Sequence, residues 1–272
     1  MLDSLLQQLA EDPAADVDLA EVALWLATDE YPDLDVADYL ARLDDLADRL
    51  RPELVGELMV SLAALSHLLF DKEGFAGNVA DYYDPRNSYL NEVLDRKRGI
   101  PITLSVLAIA VGRRAGLDIV GVALPGHFLA KGVQDRMEIL FDPFHGGRLL
   151  APEESEQLIA SVTGRPFTLT PELMAATPPG LIVQRMLNNL RSIYAEREDF
   201  DRTVRVLNRQ RQLAPGDMSL RRDIGITLVQ AGKHGAAIDH LKAYLESAPY
   251  AEDAADVRHA LGRALAEVAR WN

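Results

Sequence analysis

GIPITLSVLAIAVGRRAGLDIVGVALPGHFLAKGVQDRMEILFDP, residues 99–143, decides the fold class of this 272-residue chain. From Ile102 to Val111 the stretch is almost wholly apolar, and Pro101 stands where a helix tolerates proline best, at its first position. Arg113, Arg114 and Gly116 close the run, as cations and glycine close helices. A helix apolar on every side is a buried one, so the central helix of a domain is expected here. Beyond it the period changes. LDIVGVAL (117–124), HFLAKGV (127–133) and RMEILFDP (136–143) are short, β-branched segments separated by Pro-Gly and Gln-Asp, and read as three antiparallel strands. The expected class is therefore mainly α with a small antiparallel sheet, an α+β core.

Upstream, the sequence reads as helices. Asp18 can cap LAEVALWLA, and Val36, Tyr39, Leu40, Leu43, Leu46 and Leu50 recur at helical spacing before Pro52. PELVGELMVSLAALSHLLFDKEG reads as a further, largely buried helix, with His67 as a satisfied core histidine. Residues 74–87 are punctuated by Gly, Asn and Asp-Pro, the marks of turns, and Asn87 or Ser88 can cap a helix ending at Arg96, Lys97, Arg98 and Gly99.

Composition excludes several functions. There is no cysteine, so disulfides, thiolate metal sites and thiol nucleophiles are out. The net charge is −14, which argues against nucleic-acid binding by phosphate neutralisation. No apolar run is long enough to cross a bilayer, and the N-terminus turns acidic without a basic segment, so a cytoplasmic protein with no membrane association is expected. Charge is unevenly placed. Residues 1–85 carry 20 Asp/Glu against 4 Lys/Arg. Acidic helix faces keep a protein soluble, and they also offer a docking surface for basic groups.

The C-terminal third contains a repeat. Pro215 and Pro249 lie 34 residues apart, and at that offset Leu190 matches Ile224, Tyr194 matches Leu228, Thr203 matches Ala237, Val204 matches Ile238 and Leu207 matches Leu241. A 34-residue period of paired helices is the tetratricopeptide repeat (TPR) signature. Leu187 and Arg221 stand where tryptophan is common, and Gln210 where a small residue is. The Pro-rich segment 168–180 places a boundary between residues 1–176 and a helical repeat module at 177–272. Arg202, Arg205 and Arg209 form a stripe on one helix face, a solvated surface or a surface docked on the acidic N-terminal part.

One constellation carries chemistry. His127 opens one strand and Asp142 closes the next, which is how a catalytic His–Asp pair is often carried, and such a pair exists to activate a nucleophile. A metal site from His127, Asp142 and His145 lacks any compact His-x-x-x-His pair, so neither metal nor cofactor is expected.

The order GFAGNVADYYDPRNSYLNEVLDRKRGIPITLS (74–105), GVALPGHFLAK (121–131) and FDPFHGG (141–147), followed by TPR helices, resembles the SirB-type family of bacterial transglutaminase-like proteins. The resemblance implies a transglutaminase-like domain, broadly papain-like, followed by a TPR module. In that superfamily a cysteine sits at the N-terminus of the central helix, with histidine and aspartate on neighbouring strands. Enzymes there commonly read Gly-Val-Cys at the helix start and Arg-x-x-Gly-Ile near its end. Setting Gly116 on the last glycine puts Gly99 on the first and Pro101 on the cysteine, with His127 and Asp142 on the remaining pair. Tyr83, Asn87 and His127 then rim the residual cleft as ligand-binding candidates.

Three readings of the pair follow. In the first, it ties two strands together as a buried hydrogen bond. In the second, Ser105 or Thr103 replaces the thiol in a hydrolase or acyltransferase, although no Gly-x-Ser-x-Gly elbow is present. In the third, the cleft binds a peptide or small polar group without chemistry. The expected function is that of a nucleophile-less domain engaging a protein or peptide partner through the TPR surface.

Overall fold

The computed structural model describes residues 1–270. It divides into two compact units, residues 1–2 with 13–186, and residues 3–12 with those from 187 onward. Helix α1 (Leu2–Glu11) therefore belongs almost entirely to the second unit.

In the first unit, α2 (Leu19–Ala27) is capped by Asp18, whose carboxylate accepts from the Ala20 and Glu21 amides. Asp35 caps α3 (Val36–Leu50) in the same way, and the buried residues Val36, Leu43, Leu46, Ala47 and Leu50 form its apolar stripe. α4 (Leu58–Ser66) passes into a π-type turn, His67–Lys72. The wider turn corrects the expectation for His67. Leu65, Leu68 and Leu69 are buried, while His67 is exposed and pairs with Asp71 at 2.9 Å.

The segment after Gly74 also differs from expectation. Asp84, not Asn87 or Ser88, does the capping: it accepts from the Arg86 amide in a short turn, Pro85–Ser88. α5 (Leu90–Arg96) starts after it and ends where Lys97 takes a left-handed conformation. Two short parallel pieces, β1 (Ala76–Gly77) and β2 (Arg98–Gly99), join the ends of this excursion.

α6 (Pro101–Ala115) is the central helix, with Pro101 at its first position and left-handed Gly116 closing it. Every residue from Pro101 to Gly112 is buried. It packs on a four-stranded antiparallel sheet in sequence order, β3 (Asp118–Leu124), β4 (His127–Gln134), β5 (Met137–Asp142) and β6 (Arg148–Leu150). The first three strands are those expected; β6 was not. Close approach is built into glycines. A Cβ on Gly121 would lie 2.7 Å from the Phe128 ring, and one on Gly132 would lie 2.8 Å from Leu62. α7 (Pro152–Thr163) follows β6 and buries Ile159 against Val122, Leu124, Leu129, Leu140 and Leu150.

α8 (Pro179–Glu196) leads into the second unit, which continues through α9 (Phe200–Leu213), α10 (Met218–Gln230), α11 (His234–Ser247) and α12 (Ala254–Arg270). The 34-residue correspondence is one of burial. Leu190 and Ile224, Tyr194 and Leu228, Thr203 and Ala237, and Leu207 and Leu241 are all buried. Gly225 lets α10 approach α11, because a Cβ there would meet the Leu241 side chain at 2.5 Å. Leucine at position 225 is therefore expected to overpack this interface by about 2 kcal/mol. Urea unfolding of the Gly225→Leu variant measures that loss. On α9, Arg202 pairs with Asp199 at 2.6 Å, and Arg209 pairs with Asp3 of α1 at 2.7 Å. Among the described residues, no helix is long and apolar enough to cross a membrane.

Candidate functional site

The sheet register brings His127 and Asp142 together. Ala130 of β4 lies opposite Phe141 of β5, so one step further Leu129 faces Asp142. His127 is two residues along the same face, a diagonal neighbour within reach of a carboxylate. Its Nε2 lies 3.0 Å from Asp142 Oδ2, and both residues are buried, at 3% and 1% exposure.

Asp142 also builds the turn beyond its strand. Its Oδ1 accepts from the Phe144 amide at 3.0 Å, capping the turn Pro143–His145, and Pro143 sets the turn's first φ. That turn brings His145 back over the carboxylate, with Nδ1 at 2.6 Å from the same Oδ2. Gly146 and Gly147 then adopt positive φ, and Ser66 Oγ donates to the Gly147 carbonyl at 2.8 Å. The carboxylate thus holds an amide on one oxygen and two imidazoles on the other. Burial pushes its pKa up, but the hydrogen bond and charge of His127, followed by those of His145, outweigh this and hold it below the usual carboxylate range.

Aromatic rings surround the pair. Phe144 meets the His127, His145 and Tyr82 rings edge-on, and Tyr82 meets Tyr83 in the same way. Phe144 sits over Gly77, where a Cβ would come within 2.6 Å of its ring. Arg185 of α8 holds the other side of the strand start. Its guanidinium donates to the His127 carbonyl at 2.7 Å and to the Leu124 carbonyl at 3.1 Å, and lies over the Phe128 ring. Burial lowers its pKa. Neither Arg185 nor Phe144 stood out in the sequence. An isolated arginine whose acceptors are backbone carbonyls leaves no spacing signal.

The remaining candidate residues lie apart from the pair or are already engaged. Thr103 Oγ1 donates to the Asn87 carbonyl at 2.7 Å and accepts from the Ile100 amide at 3.1 Å, closing the start of α6. Ser105 Oγ donates to the Phe128 carbonyl at 3.4 Å. Neither hydroxyl makes a hydrogen bond to His127. Asn87 is fully buried and ties down the loop above it, donating to the Asp81 and Tyr82 carbonyls and accepting from Asn78. Tyr83 is exposed, and Tyr82 is the ring that reaches Phe144.

A buried His–Asp pair on adjacent strands, with an apolar central helix packed on their sheet and helical repeats following in the chain, defines a transglutaminase-like domain joined to a repeat module. Comparison with known proteins agrees. Residues 37–188 match the model of the transglutaminase-like superfamily, and residues 190–262 match that of the tetratricopeptide repeat. A UPF0162 protein of Xylella fastidiosa (strain Temecula1) is 38% identical over 236 residues, which is 85% of this chain and 84% of that protein. A UPF0162 protein of Pseudomonas aeruginosa is 32% identical over 188 residues, 69% of this chain and 67% of the relative. F-box only protein 21 of Mus musculus is 33% identical over 154 residues, 54% of this chain but 23% of its own length. No solved structure gives a significant match. The chain belongs to the UPF0162 family of transglutaminase-like proteins with C-terminal tetratricopeptide repeats.

Proposed function

We propose that this protein is a cytoplasmic, nucleophile-less transglutaminase-like protein that acts by binding an acidic protein or peptide partner through its repeat module. The observation carrying the non-catalytic half is the fate of every candidate nucleophile. Cysteine is absent, Pro101 occupies the position the resemblance assigns to it, and the Thr103 and Ser105 hydroxyls donate to backbone carbonyls. Proline also removes an amide that a developing oxyanion could use. The rival reading, a hydrolase or acyltransferase using Ser105 or Thr103 with His127 and Asp142, needs a hydroxyl within hydrogen-bond reach of the imidazole.

Charge on the repeat helices supports an acidic partner. Burial, and then the charges of Arg221 and Arg211, push the pKa of His240 down. Arg211 Nε and His240 Nδ1 are buried without a protein partner. The two arginine charges make the field around His240 positive, which favours a ligand carrying carboxylates. We also assign Arg202, Arg205 and Arg209 to docking on the acidic N-terminal segment, a reading supported by the ion pair of Arg209 with Asp3. The test is affinity capture from a native lysate with the full chain and with an Arg211→Glu, Arg221→Glu double variant. Proteins retained by the wild type are expected to drop at least about tenfold with the variant, as two like charges now face the ligand. Equal retention by both overturns the reading.

A further inference from the structure

We propose that His127, Asp142 and His145 form a binding site for one divalent transition-metal ion of the zinc class. The proposal stands whether or not the pair retains acid–base chemistry. The His127 Nε2, Asp142 Oδ2 and His145 Nδ1 atoms lie within 4.8 Å of one another. Both imidazole nitrogens converge on the same oxygen, at 3.0 and 2.6 Å. Ligands bonded at about 2.0–2.2 Å to a tetrahedral ion sit about 3.4 Å apart. The set closes on an ion by small side-chain rotations, most of them at His145, whose side chain is half exposed.

The cluster is also held as metal sites are held. Asp142 Oδ1 is fixed by the Phe144 amide, which aims Oδ2 at the two rings. The turn carrying His145 is set by Pro143, by the positive φ of Gly146 and Gly147, and by Ser66 on the Gly147 carbonyl. The carbonyl of His127 is fixed by Arg185. Such supporting contacts orient ligands and commonly account for ten- to hundredfold in affinity. Two imidazoles and one carboxylate suit zinc or cobalt(II) far better than magnesium or calcium, which take oxygen ligands. With three protein ligands, a fourth position stays open on the exposed His145 side for water or for a donor from a partner. In the sequence the set lacks a compact His-x-x-x-His pair because His145 reaches Asp142 through a turn rather than along a helix or strand.

The test is titration of cobalt(II), followed by its visible absorption, into the 272-residue chain stripped with a chelator, then displacement by zinc. One ion per chain is expected. Affinity should fall at least about tenfold in His145→Ala, which removes a half-exposed ligand and leaves the buried pair intact. It should be unchanged in His67→Ala, which removes an exposed histidine paired with Asp71. Absence of one-to-one binding overturns the proposal, as does equal affinity in His145→Ala and the wild type.

Discussion

Replacing Asp142 by alanine is expected to lower the stability of the first unit by about 3 kcal/mol, measured by urea unfolding near neutral pH. The carboxylate has three partners, and its removal leaves the Phe144 amide without its cap and both imidazoles without their acceptor. The imidazole of His127 dominates the cost, because at 3% exposure it is shielded from bulk solvent when its acceptor is lost. The pH dependence has a definite sign. The folded pKa of Asp142 is depressed, so its contribution is fully present above the unfolded value of about 3.9 and is lost as pH falls through the folded one. The wild type should therefore lose stability steeply below about pH 4, and the variant should lose less over the same interval. A variant whose stability matches the wild type at neutral pH would show that the pair is not an anchor of this unit.

The second large effect is at Gly147. Its φ is 71°, a region costly for any residue with a Cβ, and a Cβ there would also lie 2.6 Å from the Phe70 ring. The two penalties act together, so Gly147→Ala should cost about 3 kcal/mol. The neighbouring Gly146, with φ 73°, has nothing within 4 Å of its hypothetical Cβ. Gly146→Ala should therefore pay only the conformational part, about 1 kcal/mol. The difference between the two variants in thermal or urea unfolding separates crowding from backbone strain. Equal losses would mean that Phe70 and Ser66 yield to the extra methyl group.

Much of this architecture was legible in the residues. The period change at Leu117 marked the passage from central helix to hairpin strands, because burial on all sides and β-branched alternation leave opposite patterns. The 34-residue spacing of Leu207 and Leu241 marked the repeats, since each pair of helices must bury the same face. His127 and Asp142 were legible because strand ends fix where side chains meet.

What stayed hidden depends on local geometry that composition does not encode. The π-type turn after Ser66 rotates His67 out of an apolar run and into solvent. An Asp cap and two positive-φ glycines, not helical spacing, fold His145 onto Asp142. Thr103 looked like a candidate nucleophile because its hydroxyl stands near the start of α6. That same position makes it the partner of the Ile100 amide and the Asn87 carbonyl, which consumes the hydroxyl. Helix α1 joins the second unit although it is first in the chain, a long-range choice that no local pattern announces.

The central claim is that the His127–Asp142 frame has no nucleophile to activate. Treatment of the native chain with a fluorophosphonate probe, with adducts located by mass spectrometry, tests it most directly. No adduct on Thr103 or Ser105 is expected, and labelling of the wild type and a His127→Ala variant should be identical. A stoichiometric adduct on either hydroxyl, lost when His127 is replaced, would contradict it.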